Sequence, residues 1–353
     1  MAVKGIMKQK DVKEYRKIPR ISQSDLKMYV ENRKKFYKKI VLGEVVDDDD
    51  ESDAMRMGNL VDVMLTDDEH FEDYFFITSS PKPTGQMLIF VKNLERISKE
   101  DRDSTGAFTR DFRDRSTQAY EELKDGNGGK LRDSYSKFIE NFQKDWQDYY
   151  KELMESEGKS NVTPSEVELA GRIVEALKVS PTTGPIITLE EAYRKTPILY
   201  NYKGRELKAE LDLFTIDDNK KLIQPFDIKV TNFVEFWVSK YLENKYYLQG
   251  ATYKIALRQW ANENGYEDYK IGYMKFICAD SINYYKPLIY TTGIENYDNA
   301  IQGFSINGRN YKGVDQILAD IELSEETGEW GVSADNIRNG GVVNIPVYDN
   351  YKS

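Results

Sequence analysis

Apolar positions follow helical spacing through the first half of the chain and then change to strand-like runs between residues 188 and 290. Ser22 opens a helix, with Asp25 three residues on as its capping-box partner. This helix is predicted to run through Tyr29, and a second helical stretch to reach Val41. From Asp53 to Leu65, the residues Met57, Leu60, Val61, Met64 and Leu65 give the stripe of a buried helix face. Gly58 and Asp62 lie one turn apart on its flank, where the small residue leaves the carboxylate an open approach. Residues 78–162 are highly charged and poor in Val and Ile, with Gly126, Gly128 and Gly129 marking a loop. A helix is predicted over Asp133 to Met154, and the segment reads as a helical insertion or lid. Thr163-Pro164-x-Glu166 then starts another helix: N-cap, proline in the first turn and capping glutamate. Val167, Ala170, Ile173, Val174 and Leu177 form its apolar face, and Ser180-Pro181 ends it.

Strands are predicted next, at Thr188 to Tyr193 and Pro197 to Tyr202. A Lys203-Gly204 turn leads into Glu206 to Ile216, and Leu222 to Val230 follows. A long helix from Glu243 to Asn262 closes near Gly265. Strands at Tyr269 to Cys278 and Tyr284 to Tyr290 come after it, then a helix from Ile294 and a polar tail. No repeat is visible. Helices, a meander, a helix and further strands predict an α/β core with a central mixed sheet flanked by helices, plus the helical insertion.

With 353 residues, 31% charged and 40% hydrophobic, the chain is long enough for one large globular domain. No apolar run approaches the ~18 residues of a membrane span, so no membrane association is expected. Met1-Ala2-Val3-Lys4 begins no apolar signal core, and the expected location is cytoplasmic. A single cysteine, Cys278, excludes an internal disulfide framework and a four-cysteine zinc or iron–sulfur site. A single histidine, His70, excludes two-histidine mechanisms, and its polar setting (Asp67-Asp68-Glu69-His70) reads as a solvated side chain. Catalysis would have to run on carboxylates, Lys and Tyr, which favours hard ions such as Mg²⁺ or Mn²⁺. The net charge is −10, so a nucleic-acid partner would need local basic patches. Lys8 to Arg20 and Arg33 to Lys39 are candidates, while Asp47 to Glu51 reads as an acidic loop.

The chemistry concentrates between residues 210 and 229. Asp212 ends one hydrophobic strand-like run and Asp227-x-Lys229 sits on the next, across the Asp217-Asp218-Asn219-Lys220 turn. Two adjacent antiparallel strands thus bring two carboxylates and an ammonium to one point, and strand alternation puts Asp227 and Lys229 on one face. Such a set suits a divalent cation and a water beside a phosphodiester, with the lysine orienting or deprotonating water or neutralising the phosphate. Glu210 shares a strand face with Asp212 and is either a further ligand or a surface charge. Gln249 and Tyr253, one helical turn apart, could present an amide and a phenol to the carboxylates or to a DNA strand.

Taken in order, Gly58-x-x-x-Asp62, Asp212, Asp227-x-Lys229 and Gln249-x-x-x-Tyr253 resemble the PD-(D/E)xK nucleases. Within that superfamily they are most similar to the branch containing the RecB nuclease domain, lambda exonuclease and the RecE exonuclease. Ile21 to Leu26, with Phe36-Tyr37 and Leu42-Gly43, also looks like that branch's N-terminal helix. The likeness covers residues 20–65 and 165–290. It implies a single nuclease domain over 1–353 with a restriction-endonuclease-like core: N-terminal helices 20–65, insertion 78–162, catalytic core 163–290, and a C-terminal helix and tail 291–353. It implies Asp62, Asp212 and Asp227 as ligands of Mg²⁺ or Mn²⁺ and Lys229 as the catalytic lysine. Gly58, Gln249 and Tyr253 would contact DNA or organise the site. Glu191, or failing it Glu190, would be the glutamate that joins the site ahead of the meander.

The implied activity is a metal-dependent phosphodiester hydrolase, an exonuclease that resects duplex DNA ends in phage-type recombination. DNA, a single-strand annealing protein and further copies of the chain are the implied partners. Other roles for such a fold are an endonuclease, a nuclease subunit of a defence or packaging complex, or a non-catalytic DNA-binding or scaffold protein. The chain departs from the family pattern in having Leu211 rather than Pro before Asp212, a position where many members vary, and in lacking the cysteines of the iron–sulfur members. Gly158-Lys159-Ser160 does not complete a Walker A motif, because Leu153 stands at the upstream glycine position.

Overall fold

The computed structural model describes residues 14–15, 17–44, 52–282 and 286–343. The acidic run from Asp47 to Glu51 lies outside them, as does much of the basic stretch before Arg20. The chain divides into two compact units, one of Met1–Ala54 with Ile173–Ser353 and one of Met55–Arg172.

The first unit is built on a mixed sheet flanked by helices. Strands β1 (Ile21–Ser22), β2 (Tyr193–Tyr202), β3 (Arg205–Asp217), β4 (Leu222–Thr231), β5 (Lys270–Ile271), β6 (Lys275–Asp280) and β7 (Leu288–Thr291) form it. The pairing runs β1-β3-β4-β6-β7, with β2 also on β3 and β5 also on β4. β2, β3 and β4 are an antiparallel meander, β4 and β6 run parallel, and β7 returns antiparallel to β6. Parallel neighbours need a crossover. Two helices supply it, α2 (Trp237–Glu243) and α3 (Tyr246–Glu263).

The β2–β3 turn follows from its residues. Lys203 and Gly204 both take positive φ, 50° and 76°, the geometry in which a two-residue turn matches the twist of the strands it joins. β3 then lies against α3: Phe214 stacks on Tyr193 at 4.6 Å and meets Trp260 edge-on at 4.9 Å. At the N-terminus, α1 (Gln23–Glu31) has the expected capping box, with Ser22 and Asp25 exchanging bonds. The Tyr29 hydroxyl donates to the carbonyl of Asp320 at 2.9 Å, tying α1 to α5 (Val314–Thr327).

Several elements differ from the expectation. Thr188 to Tyr193 is no strand: Gly184–Ile187 is a short helix, a turn follows, and β2 begins at Tyr193 and absorbs the run from Pro197. The long helix predicted from Glu243 is divided between α2 and α3, because Lys245 takes the left-handed conformation at φ 58°. The stretch from Tyr269 to Cys278 is two strands, β5 and β6. The last predicted strand is resolved as Leu288–Thr291, with residues 284 and 285 outside the described set. The polar tail is in part core. After α4 (Ile294–Gln302) come a hairpin and α5, whose Val314, Ile317, Leu318 and Ile321 are buried at helical spacing.

The second unit has its own apolar centre. Helices Gly85–Glu100, Phe112–Gly126, Tyr135–Asp145 and Gln147–Glu155 surround Phe90, Leu94, Ile97 and Phe142, all fully buried. The single helix predicted over Asp133 to Met154 is broken at Trp146, whose φ of −131° lets Tyr149, Tyr150 and Leu153 turn back onto that centre. Phe75–Ile77 pairs in parallel with Ser160–Val162. The Thr163-Pro164-x-Glu166 start is as expected, Glu166 bonding the Thr163 amide at 2.8 Å. Met57, Leu60 and Val61 are buried on the helix Asp53–Thr66, while Met64 and Leu65 are half-buried. Among the described residues no helix is long and apolar enough to cross a membrane.

Phe214, fully buried between Tyr193 and Trp260, is the anchor of the sheet–helix contact. Phe214→Ala is expected to cost about 3–5 kcal/mol in denaturant unfolding. A loss below about 1 kcal/mol would contradict that role.

Candidate active site

Three strands bring one residue each to the same level of the sheet. β2 and β3 pair Arg194 with Leu213 and Thr196 with Leu211, which sets Lys195 opposite Asp212. β3 and β4 pair Leu213 with Phe226, and one step further Asp212 faces Asp227. At both places the backbone ladder lapses. Lys195 has φ 41°, a sparsely populated conformation for a lysine within a strand. Between β3 and β4 the paired register stops at Leu213 and Phe226, and the Ile228 amide donates instead to Asp212 Oδ2 at 3.3 Å. Directly opposed side chains on one sheet face are close neighbours, so the sheet itself assembles Lys195, Asp212 and Asp227.

The polar contacts follow from that alignment. Lys195 Nζ donates to Asp212 Oδ1 at 2.8 Å. Lys229, two residues beyond Asp227 on the same face, places Nζ 2.6 Å from Asp227 Oδ2. From α3, Gln249 Nε2 donates to Asp227 Oδ1 at 2.6 Å and to the Tyr253 hydroxyl at 3.2 Å. Tyr246, at the start of α3, lays its ring 4.7 Å from Lys229 Nζ. Depth differs across the group. Asp227 is 0% exposed, whereas Asp212, Lys229 and Lys195 keep 18%, 18% and 24% of their side-chain surface.

That difference separates the two carboxyls electrically. Burial, the largest influence, raises Asp227 well above the usual carboxylate range against the opposing charge of Lys229, and the negative charge of Asp212 adds to the rise. Burial also acts to raise Asp212, but there the charges of Lys195 and Lys229 prevail and hold it low. Burial acts to lower Lys229; the charges of Asp227 and Asp212 outweigh it, and the ammonium is raised. The two carboxylates thus favour the charged form of Lys229.

Magnesium or manganese suits this donor set in one respect that the geometry itself supplies. Asp227 Oδ2 is buried, and the Lys229 ammonium 2.6 Å away is the charge set against it. A buried carboxylate beside a second one calls for positive charge, which a divalent cation would also supply. Asp212 and Asp227 are the residues that would hold one. Among the described residues, no three His, Cys, Asp or Glu side chains gather as a ready-made cage.

Glu191 and Glu190 are exposed in the turn before β2, not on a strand, because the chain there closes the Gly184–Ile187 helix. Glu210 is half-buried on β3. Gly58 and Asp62 sit on the helix Asp53–Thr66 of the second unit, with open space where a Gly58 Cβ would stand. His70 is exposed and pairs with Asp67 at 2.6 Å. Lys195 and Tyr246 were not anticipated. Lys195 was within reach of the sequence, because the two-residue Lys203-Gly204 turn sets the register that puts it opposite Asp212.

No protein-family model matches the chain, and no curated protein matches it. Among solved structures it is similar to a crystal structure from Eubacterium rectale named "Putative exonuclease". The two share 11% identity and a TM-score of 0.48 over 99% of this chain and 98% of that one.

Because its carboxyl is raised in the folded protein, Asp227 holds a proton more tightly there than in the unfolded chain. The folded state therefore loses stability as pH climbs from the ordinary carboxylate range to the raised value. Asp227→Asn removes this dependence. With chelator present, the stability of the variant relative to the parent should grow between about pH 4 and about pH 7 in urea unfolding. A difference that shrinks over that interval would show that Asp227 is not a raised, buried acid.

Proposed function

We propose that the chain is a metal-dependent nuclease that hydrolyses phosphodiesters, acting on DNA as an exonuclease of the phage recombination type. The observation that carries this reading is the buried Asp227 carboxylate, aligned with Asp212 and flanked by Lys229. A restriction-endonuclease-like core would account for the antiparallel meander followed by a helical crossover to a parallel strand. The ordered likeness of Asp212, Asp227-x-Lys229 and Gln249-x-x-x-Tyr253 to the PD-(D/E)xK pattern supports the same reading.

In this mechanism Asp212 and Asp227 would hold a Mg²⁺ or Mn²⁺ ion. A divalent cation there supplies Lewis acidity toward the phosphodiester and makes a nearby water more acidic. The chain's own groups do the rest. Gln249 fixes Asp227 through Oδ1 and leaves Oδ2 to Lys229. The Ile228 amide orients Asp212. Lys229, kept charged by Asp227 and seated on the Tyr246 ring, stands where it can offset negative charge growing on the phosphate. Tyr253 backs Gln249 rather than reaching the phosphate itself.

The test is digestion of linear and closed-circular duplex DNA, end-labelled on either strand, with Mg²⁺, Mn²⁺ or chelator. Linear DNA is expected to be degraded only with metal, and Asp227→Asn and Lys229→Met each to lose about a thousandfold or more in rate. Cutting of the circle would replace the exonuclease with an endonuclease. DNA retained in a gel shift but never cut would leave a binding protein.

A further inference from the structure

We propose that Lys195 is the resident counterion of the cation site: its ammonium occupies Asp212 in the metal-free protein and is displaced when a divalent cation binds. This rests on the metal-dependent reading above and adds a residue to it. Lys195 Nζ lies 2.8 Å from Asp212 Oδ1, on the more exposed of the two carboxylates. A long, flexible ammonium is a compact point charge that can let go of one partner without a change of backbone.

The two lysines of the group are not alike in this respect. Lys229 is fastened twice, to the fully buried Asp227 and over the Tyr246 ring. Lys195 stands at an edge of the group, on a strand segment where the ladder lapses and φ is 41°. An unfavourable backbone conformation persists only where the surroundings enforce it. Here the hairpin register holds Lys195 level with Asp212. Two carboxylates at adjacent positions repel each other unless cations or a proton neutralise them. Lys195 meets that need before metal arrives, and in doing so competes for the same oxygen.

Titration calorimetry with Mn²⁺ alone, on the full chain without DNA, reads the competition. Lys195→Met is expected to bind Mn²⁺ about tenfold more tightly than the parent, and Lys195→Arg to bind about as the parent does. A plain structural ion pair would instead leave affinity unchanged or lower it in Lys195→Met, and that result overturns the proposal. A measurement on the parent protein stands even if Lys195→Met does not fold: amine-reactive labelling read by peptide mass spectrometry. Labelling of Lys195 should rise several-fold on adding Mn²⁺ while that of the exposed Lys220 stays level. Unchanged or reduced labelling of Lys195 in a parent protein that binds Mn²⁺ refutes the displacement alone. Absence of Mn²⁺ binding in the parent and in every variant removes the cation site itself, and the proposal with it.

Discussion

Two aspartates held side by side in a sheet are the constraint around which the first unit is organised. A carboxylate with no solvent exposure, as at Asp227, cannot keep its charge without partners. Its partners come from two directions. Lys229 comes from its own strand, and Gln249 from the helix that packs across the sheet. Each of these depends on something larger. The lysine needs β4 to stay extended, and the glutamine needs α3 to sit in one place. The apolar structure of the unit can be read as the means of satisfying both.

α3 is fixed at both ends by aromatic contacts. Toward its C-terminal half, Trp260 closes on Phe214 and Tyr193 of the meander. Near its start, Tyr246 stacks on Trp237 at 5.6 Å, and Trp237 in turn meets Phe276 of β6 at 4.8 Å and Tyr290 of β7 at 5.1 Å. The left-handed Lys245 that separates α2 from α3 makes this corner possible, since a continuous helix would carry Tyr246 and Trp237 to different faces. The ring that stabilises this corner is also the one beneath Lys229. Packing and site geometry thus share a residue, and the position of the ammonium follows from the position of the core.

The elements that could be read from the sequence are those in which local pattern and global fold agree. The meander and α3 have long apolar runs bounded by clear turns. Asp212, Asp227, Lys229, Gln249 and Tyr253 could therefore be placed together before the fold was known. The failures have separate causes. Glu191 was assigned by likeness to a family position, and the strand meant to carry it was a short helix and turn, where Gly184 and Pro185 favour bending. A charge exposed in a turn has no local pattern to reveal it. The division at Trp146 and the core role of Ile317 and Ile321 depend on tertiary burial, which overrides weak local preference in highly polar segments. Lys195 is of another kind. Its neighbours in the sequence say nothing, but the turn at Lys203-Gly204 already determines what it faces.

Charge balance explains why the metal-free group can exist at all. Two aspartates and two lysines sum to neutrality, yet the structure does not treat the pairs as equals. Asp212 is held low by Lys195 and Lys229, while burial keeps Asp227 raised in spite of Lys229. A proton on Asp227 and an ammonium on Asp212 are therefore two ways of meeting the same electrostatic demand. A divalent cation answers it with one charge centre in place of both. Lys229 has the buried carboxylate and the Tyr246 ring to hold it, so on the proposed reading it would remain when a divalent cation took the place of the outer ammonium. On the proposed reading, the inner lysine serves the reaction and the outer one serves the resting state. That division of labour is set by the carboxylate each ammonium faces, the fully buried Asp227 or the more exposed Asp212, because the two side chains carry the same chemistry.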